Sequence, residues 1–178
     1  AYVLPVRGGQ LGTSTIFKTG QTRCYDTTGT TIACADTGQD GDSLTGLPLP
    51  DLRFSANADQ TVTDNRTGLI WSKDASPVGG TLTWQAALDS IKNLNSSSYL
   101  WSNDWRLPHR AELASLVSYG GAGGAQNNWL NTQGFSNVHG SLYWSSTTLA
   151  RYTPAKWCVR MDTGTTRGEE SIQTNWVY

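Results

Sequence analysis

The sequence predicts an α+β domain in which antiparallel sheets are flanked by two helices, and three observations predict it. Short runs rich in β-branched and aromatic residues, separated by Gly, Asn and Thr loops, occupy both ends of the chain. Two stretches in the middle switch to helical spacing of apolar residues. The two periods are segregated rather than alternating, which argues against a βαβ crossover sheet. Eight Trp, seven Tyr and three Phe supply large packing units, and 19 Gly punctuate the loops.

Taken in order, "AYVLPVRGGQ" opens with a strand-like run, Tyr2, Val3, Leu4 and Val6, stopped by Gly8 and Gly9. Residues 1–9 form an N-terminal extension strand in this reading, 10–17 a linker, and 18–178 one globular domain. A short strand near Ile16 precedes "CYDTTGTTIAC", where strand formers flank a Thr-Gly turn. That spacing suits a hairpin disulfide between Cys24 and Cys34, with two buried thiols as the alternative; a bridge would imply an export compartment. "TVTDNRTGLIW" is a second hairpin about a polar turn.

In "TLTWQAALDSIKNLN", Trp84, Ala87, Leu88, Ile91 and Leu94 recur at helical spacing behind Thr83, a suitable N-cap. In "LPHRAELASLVSYGG", Pro108 fits the first helical turn, Leu113, Leu116 and Val117 make the stripe, and Gly120 supplies the stop. Just before it, "DWRLP" sends Trp105 and Leu107 to the core and leaves Asp104 and Arg106 to tie loop to helix. Strands follow in "SLYWSSTT", "AKWCVRMD" and "ESIQTNWVY"; Cys158 on the second is a buried thiol.

Thirteen Lys and Arg against fourteen Asp and Glu give a net charge of −1 with no basic run, so neither nucleic acid nor an anionic membrane is an expected partner. No stretch approaches the ~18 apolar residues of a spanning helix, and no membrane insertion is expected. No positively charged segment precedes an apolar leader core, and the chain is expected to be a mature, soluble product. His109 and His139 are the only histidines, and no His-Glu-x-x-His or Cys-x-x-Cys pair occurs, so no enzymatic activity and no cofactor are expected. The one metal candidate is "DTGQDGD", where Asp36, Asp40 and Asp42 offer oxygen ligands for calcium; a polar turn is the alternative.

The motifs "DQTVTDNRTGLIWSKD", "DWRLPHRAELASLV", "GFSNV" and "YWSSTT", with the lead-in "TGQTRCYDTTGTTIACADTGQDGD", resemble in order and spacing one bacterial family: the C-terminal domain of the Legionella collagen-like adhesin and its relatives. The resemblance covers most of residues 18–178. It implies a C-type-lectin-like fold in which N- and C-terminal strands pair and a long loop region carries ligand specificity. It also implies export, surface attachment and, in the adhesin, binding of sulfated polysaccharide. The Glu-Pro-Asn, Gln-Pro-Asp and Trp-Asn-Asp signatures of calcium-dependent lectins are not found at the corresponding places. Ligand contacts are expected from the loops between Gly120 and Gly168, among them Trp129, Tyr152 and Arg160.

In the family the last strand commonly continues into a segment like Tyr-Val-x-Pro-Val-Arg-Gly-Gly, which here stands at the opposite end of the sequence. Three arrangements satisfy this: closure within one chain, a piece of a tandem array, or a strand lent to a neighbouring copy. The expected function is a non-enzymatic structural subunit of an extracellular bacterial surface fibre. In it, Tyr2, Val3, Leu4 and Val6 of one copy add to Trp176, Val177 and Tyr178 of another. The alternative is a surface adhesin module that binds a carbohydrate or protein through its loops.

Overall fold

A computed structural model describes residues 17–48, 50–120 and 126–175. Among the described residues the mixed α+β architecture comprises three small antiparallel sheets and four helices. The first sheet is the cysteine hairpin, β1 (Cys24–Tyr25) against β2 (Thr31–Ile32), followed by one turn of helix, α1 (Asp40–Ser43). The second is the meander β3 (Phe54–Ala56), β4 (Thr61–Asp64) and β5 (Ile70–Ser72). After α2 (Trp84–Ser96), a 3-10 turn (Tyr99–Trp101), α3 (Arg110–Ser115) and α4 (Gln126–Thr132) comes the third sheet. Its strands β6 (Leu142–Thr148), β7 (Ala155–Arg160) and β8 (Thr166–Glu170) lie in sequence order.

The third sheet organises the core because side chains alternate across it. Tyr143 and Val159 enter one apolar cluster with Phe54, Val62, Leu113 and Leu116, while their neighbours Trp144 and Cys158 enter another with Ala87, Ile91 and Leu107. Both faces are covered, which explains why "LYW" and "WCV" read as continuous apolar runs. The outer edge of β6 is occupied: Pro108 accepts from Ser146 N at 2.9 Å, and Trp84 Nε1 donates to Ser145 O at 3.0 Å. The outer strand β8 carries the Arg167–Glu169 ion pair, the kind of charged edge that discourages further pairing.

The helix α2 starts where the sequence places it, with Thr83 Oγ1 accepting from Ala86 N at 3.3 Å. The second helix departs from expectation. It begins at Arg110 rather than at Pro108, because His109 is the N-cap of a reciprocal box: its Nδ1 accepts from Glu112 N and its own N–H donates to the Glu112 carboxylate at 2.9 Å. It ends at Ser115, five residues short of Gly120, and Leu116 and Val117 reach the core from beyond it. The expected final strand "ESIQTNWVY" is also corrected. Pairing with β7 runs from Thr166 to Glu170, a turn follows, and Asn175 then makes an isolated antiparallel bridge to Leu82. The short strand near Ile16 falls at the border of the described residues, where Phe17 makes a single bridge to Leu47.

Candidate functional site

A cleft of about 370 Å³ opens between the β4–β5 hairpin, α2 and the loop 97–108. Trp71, Ile91 and Leu94 give it an apolar floor. The loop owes its shape to Asn95 at the end of α2, whose side chain donates to Trp105 O and accepts from Trp105 N, both at 2.8 Å. Trp105 Nε1 in turn donates to Tyr99 O at 2.8 Å, and the two rings stand 6.0 Å apart, tilted by 58°. Tyr99 Oη lies 3.2 Å from Ser72 Oγ, which ties the loop to β5. Tight reversal of the chain here places Ser98, Leu100 and Trp101 at φ of 52°, 51° and 62°, left-handed conformations uncommon for such residues. Trp101 is thereby thrown out to 91% exposure between two cleft-lining positions.

The charged rim consists of Asp59, Asp104, Arg106 and Glu112. Arg106 grips Glu112 with two parallel bonds of 2.7 and 2.6 Å, so the expected bond between loop and helix is made by Arg106, while Asp104 makes no such bond with any described residue. Arg106 holds the Glu112 carboxyl below its ordinary range, and the His109 N–H adds to the effect. Asp59 Oδ1 accepts from both the N–H and the hydroxyl of Thr61. Rings and carboxylates in a cleft of this volume suit binding, the usual build of a small-ligand site.

The other predicted residues are dispersed. Cys24 and Cys34 are disulfide-bonded, and Cys158 is reduced and buried, its thiol pKa pushed up by desolvation. Asp36, Asp40 and Asp42 do not form a ligand set, and among the described residues no cluster of three or more metal-binding side chains occurs. Asp40 takes the Thr19 hydroxyl, Asp42 accepts from Gly38 N at 3.0 Å, and the segment is a helical turn packed on β1. Gly41 makes that packing feasible, since a Cβ there would stand 2.6 Å from Arg23 O.

Trp129 on α4 lies edge-on to Phe54, with ring centroids 5.9 Å apart, at the border of the core. Tyr152 donates to Glu170 at 3.1 Å, and Arg160 pairs with Asp162 through bonds of 2.7 and 2.8 Å. They flank opposite ends of β7, roughly 17 Å apart at about 3.3 Å per residue, and so do not build one site. Tyr2, Val3, Leu4, Val6, Trp176, Val177 and Tyr178 lie outside the described residues. The last described residue, Asn175, exchanges two backbone hydrogen bonds of 2.8 Å with Leu82.

Tyr99, Trp101 and Trp105 stand in no sequence motif that marks ligand residues. The signal that could have found them is their density in the polar loop "SSSYLWSNDW". Compared with known proteins, residues 60–178 match the family model described as Lcl C-terminal domain, well over half of the chain. No curated protein matches.

Proposed function

The chain belongs to the Lcl C-terminal domain family, a family of collagen-like surface protein domains, and from that premise we propose that it is a non-enzymatic structural subunit of an extracellular bacterial fibre. Its architecture is C-type-lectin-like, and its copies join by strand donation: residues 2–7 of one copy add beside residues 176–178 of the next. The observation that carries this reading is the Leu82–Asn175 pair. Two bonds of 2.8 Å in an isolated antiparallel bridge hold Asn175 in a paired conformation immediately before residues 176–178, the segment that a donated strand would join in this reading. The two outer edges of the third sheet offer less, one being covered by residues around Pro108 and the other lined by charge.

Burial of Val3, Leu4 and Val6 would contribute about 1.5–3 kcal/mol each before ordering costs, and Pro5, which has no N–H, belongs at a break in the ladder. Donor and acceptor surfaces differ, so the contact is heterologous and propagates into a filament unless it closes. The absence of catalysis is supported by how the reactive groups are used: His109 is committed to capping α3, and the Cys158 thiol is buried with a raised pKa. The test is peptide capture. A chain lacking residues 1–9 should bind a synthetic peptide of those residues and no scrambled version; equal binding of both would overturn the reading.

A second reading, a surface adhesin module that recognises a ligand, is favoured by the ring-lined cleft. In that reading the recognition surface lies at the 97–108 loop rather than at Trp129, Tyr152 and Arg160.

A further inference from the structure

The cleft at the 97–108 loop has a charge pattern that strand exchange does not use. Of its four charged side chains, Arg106 and Glu112 satisfy each other through two bonds. Asp104 makes no side-chain hydrogen bond or ion pair with any described residue, and Asp59 spends one oxygen on Thr61 without a cation beside it. The site therefore presents two uncompensated carboxylates next to the ordered Tyr99–Trp105 ring pair.

We infer that this cleft binds a basic side chain, the guanidinium of arginine or the ammonium of lysine, carried by a partner polypeptide. Carboxylates supply the charge, and ring faces attract a cation within about 6 Å of their centroids. The same chemistry already holds Arg110 over the Trp157 ring and Lys156 over the Trp84 ring, each at 4.6 Å, elsewhere on this surface. The negative rim repels sulfated or carboxylated ligands. A neutral glycan would find rings and acceptors but would gain nothing from the two net charges. The rings are fixed before any ligand arrives, because Asn95 and Ser72 anchor Trp105 and Tyr99, and this reduces the ordering cost of binding.

The test uses the whole chain and four small probes, Gly-Arg-Gly, Gly-Lys-Gly, Gly-Gln-Gly and methyl glucoside, followed by NMR at the Trp105 indole. The two basic peptides should shift that resonance saturably, with affinity falling as salt rises, and the other two should not. Asp104→Asn, at an exposed position, should weaken binding about fivefold while leaving the melting temperature unchanged. Tyr99→Leu should weaken it similarly, and Tyr99→Phe, which keeps the ring but loses the bond to Ser72, should weaken it less than Tyr99→Leu. Equal binding of the glutamine peptide or the glycoside, no response at Trp105, or an unaffected Asp104→Asn variant would overturn the inference. These outcomes leave strand donation untouched, since none involves residues 1–9.

Discussion

Replacing Asp64 by alanine should cost more stability than any other single polar substitution in the second sheet. Its side chain is fully buried and that of Arg53 is 10% exposed. Asp64 accepts from Arg53 Nε at 3.5 Å and Nη2 at 3.3 Å, and from Arg66 N at 3.0 Å. Arg53 also donates to Ser115 O at the end of α3 and lies over the Phe54 ring at 4.5 Å, so one guanidinium joins the β3–β4 hairpin to the helix. Removing the carboxylate strands a positive charge in a nearly closed site, a loss of about 3–5 kcal/mol. At a urea slope of about 2 kcal/mol per molar, the unfolding midpoint should fall by about 2 M. The double variant Arg53→Met/Asp64→Leu removes both charges and should lose far less than the sum of the single losses. Tryptophan fluorescence in urea measures all three. A loss below about 1 kcal/mol for Asp64→Ala, or strict additivity in the double variant, would refute the argument that this pair is a buried, coupled junction.

Reducing the Cys24–Cys34 bridge, which spans a separation of 10 residues, should cost about 2.7 kcal/mol in the loop-entropy picture, read from the urea midpoints of the chain and its Cys24→Ser/Cys34→Ser variant. Thiol titration should find one reactive cysteine after denaturation and none before it, because Cys158 is buried with a raised pKa. Glu112 has a folded pKa below its ordinary 4.5, chiefly through Arg106. The stability it contributes is therefore complete above about pH 4.5 and lost as pH falls from there through the lower folded value. Glu112→Gln should lose about 1 kcal/mol at neutral pH and show a shallower fall in melting temperature on acidification; an unchanged acid limb would contradict the assignment.

What was legible in the sequence is what local chemistry decides. The hairpin 61–72 announces itself through β-branched residues around Asn-Arg-Thr-Gly, and α2 through a full apolar stripe behind Thr83. The strands β6 and β7 are legible from their aromatic runs. What was not legible is decided at a distance. "TRGEE" has no strand signature and becomes β8 because β7 offers it a partner, whereas of "ESIQTNWVY", which has the signature, the described residues place only Glu170 in β8, followed by a turn and the bridge of Asn175 to Leu82. The helices α1 and α4 are too short to display a period.

The candidate site follows the same division. Cys24 and Cys34 are close in sequence and their pairing could be read directly. The cleft could not, because its walls come from segments tens of residues apart and its shape depends on one asparagine, Asn95, bonding Trp105. Arg160 and Tyr152 carry ligand-type chemistry in sequence, but each is engaged by a nearby acidic side chain once folded.

The central claim is that the opening segment of one copy completes another, and electron microscopy of two preparations tests it most directly. The intact chain should form filaments, and the chain lacking residues 1–9 should remain as single particles under the same conditions. Filaments of the same width and length from both preparations would contradict strand donation.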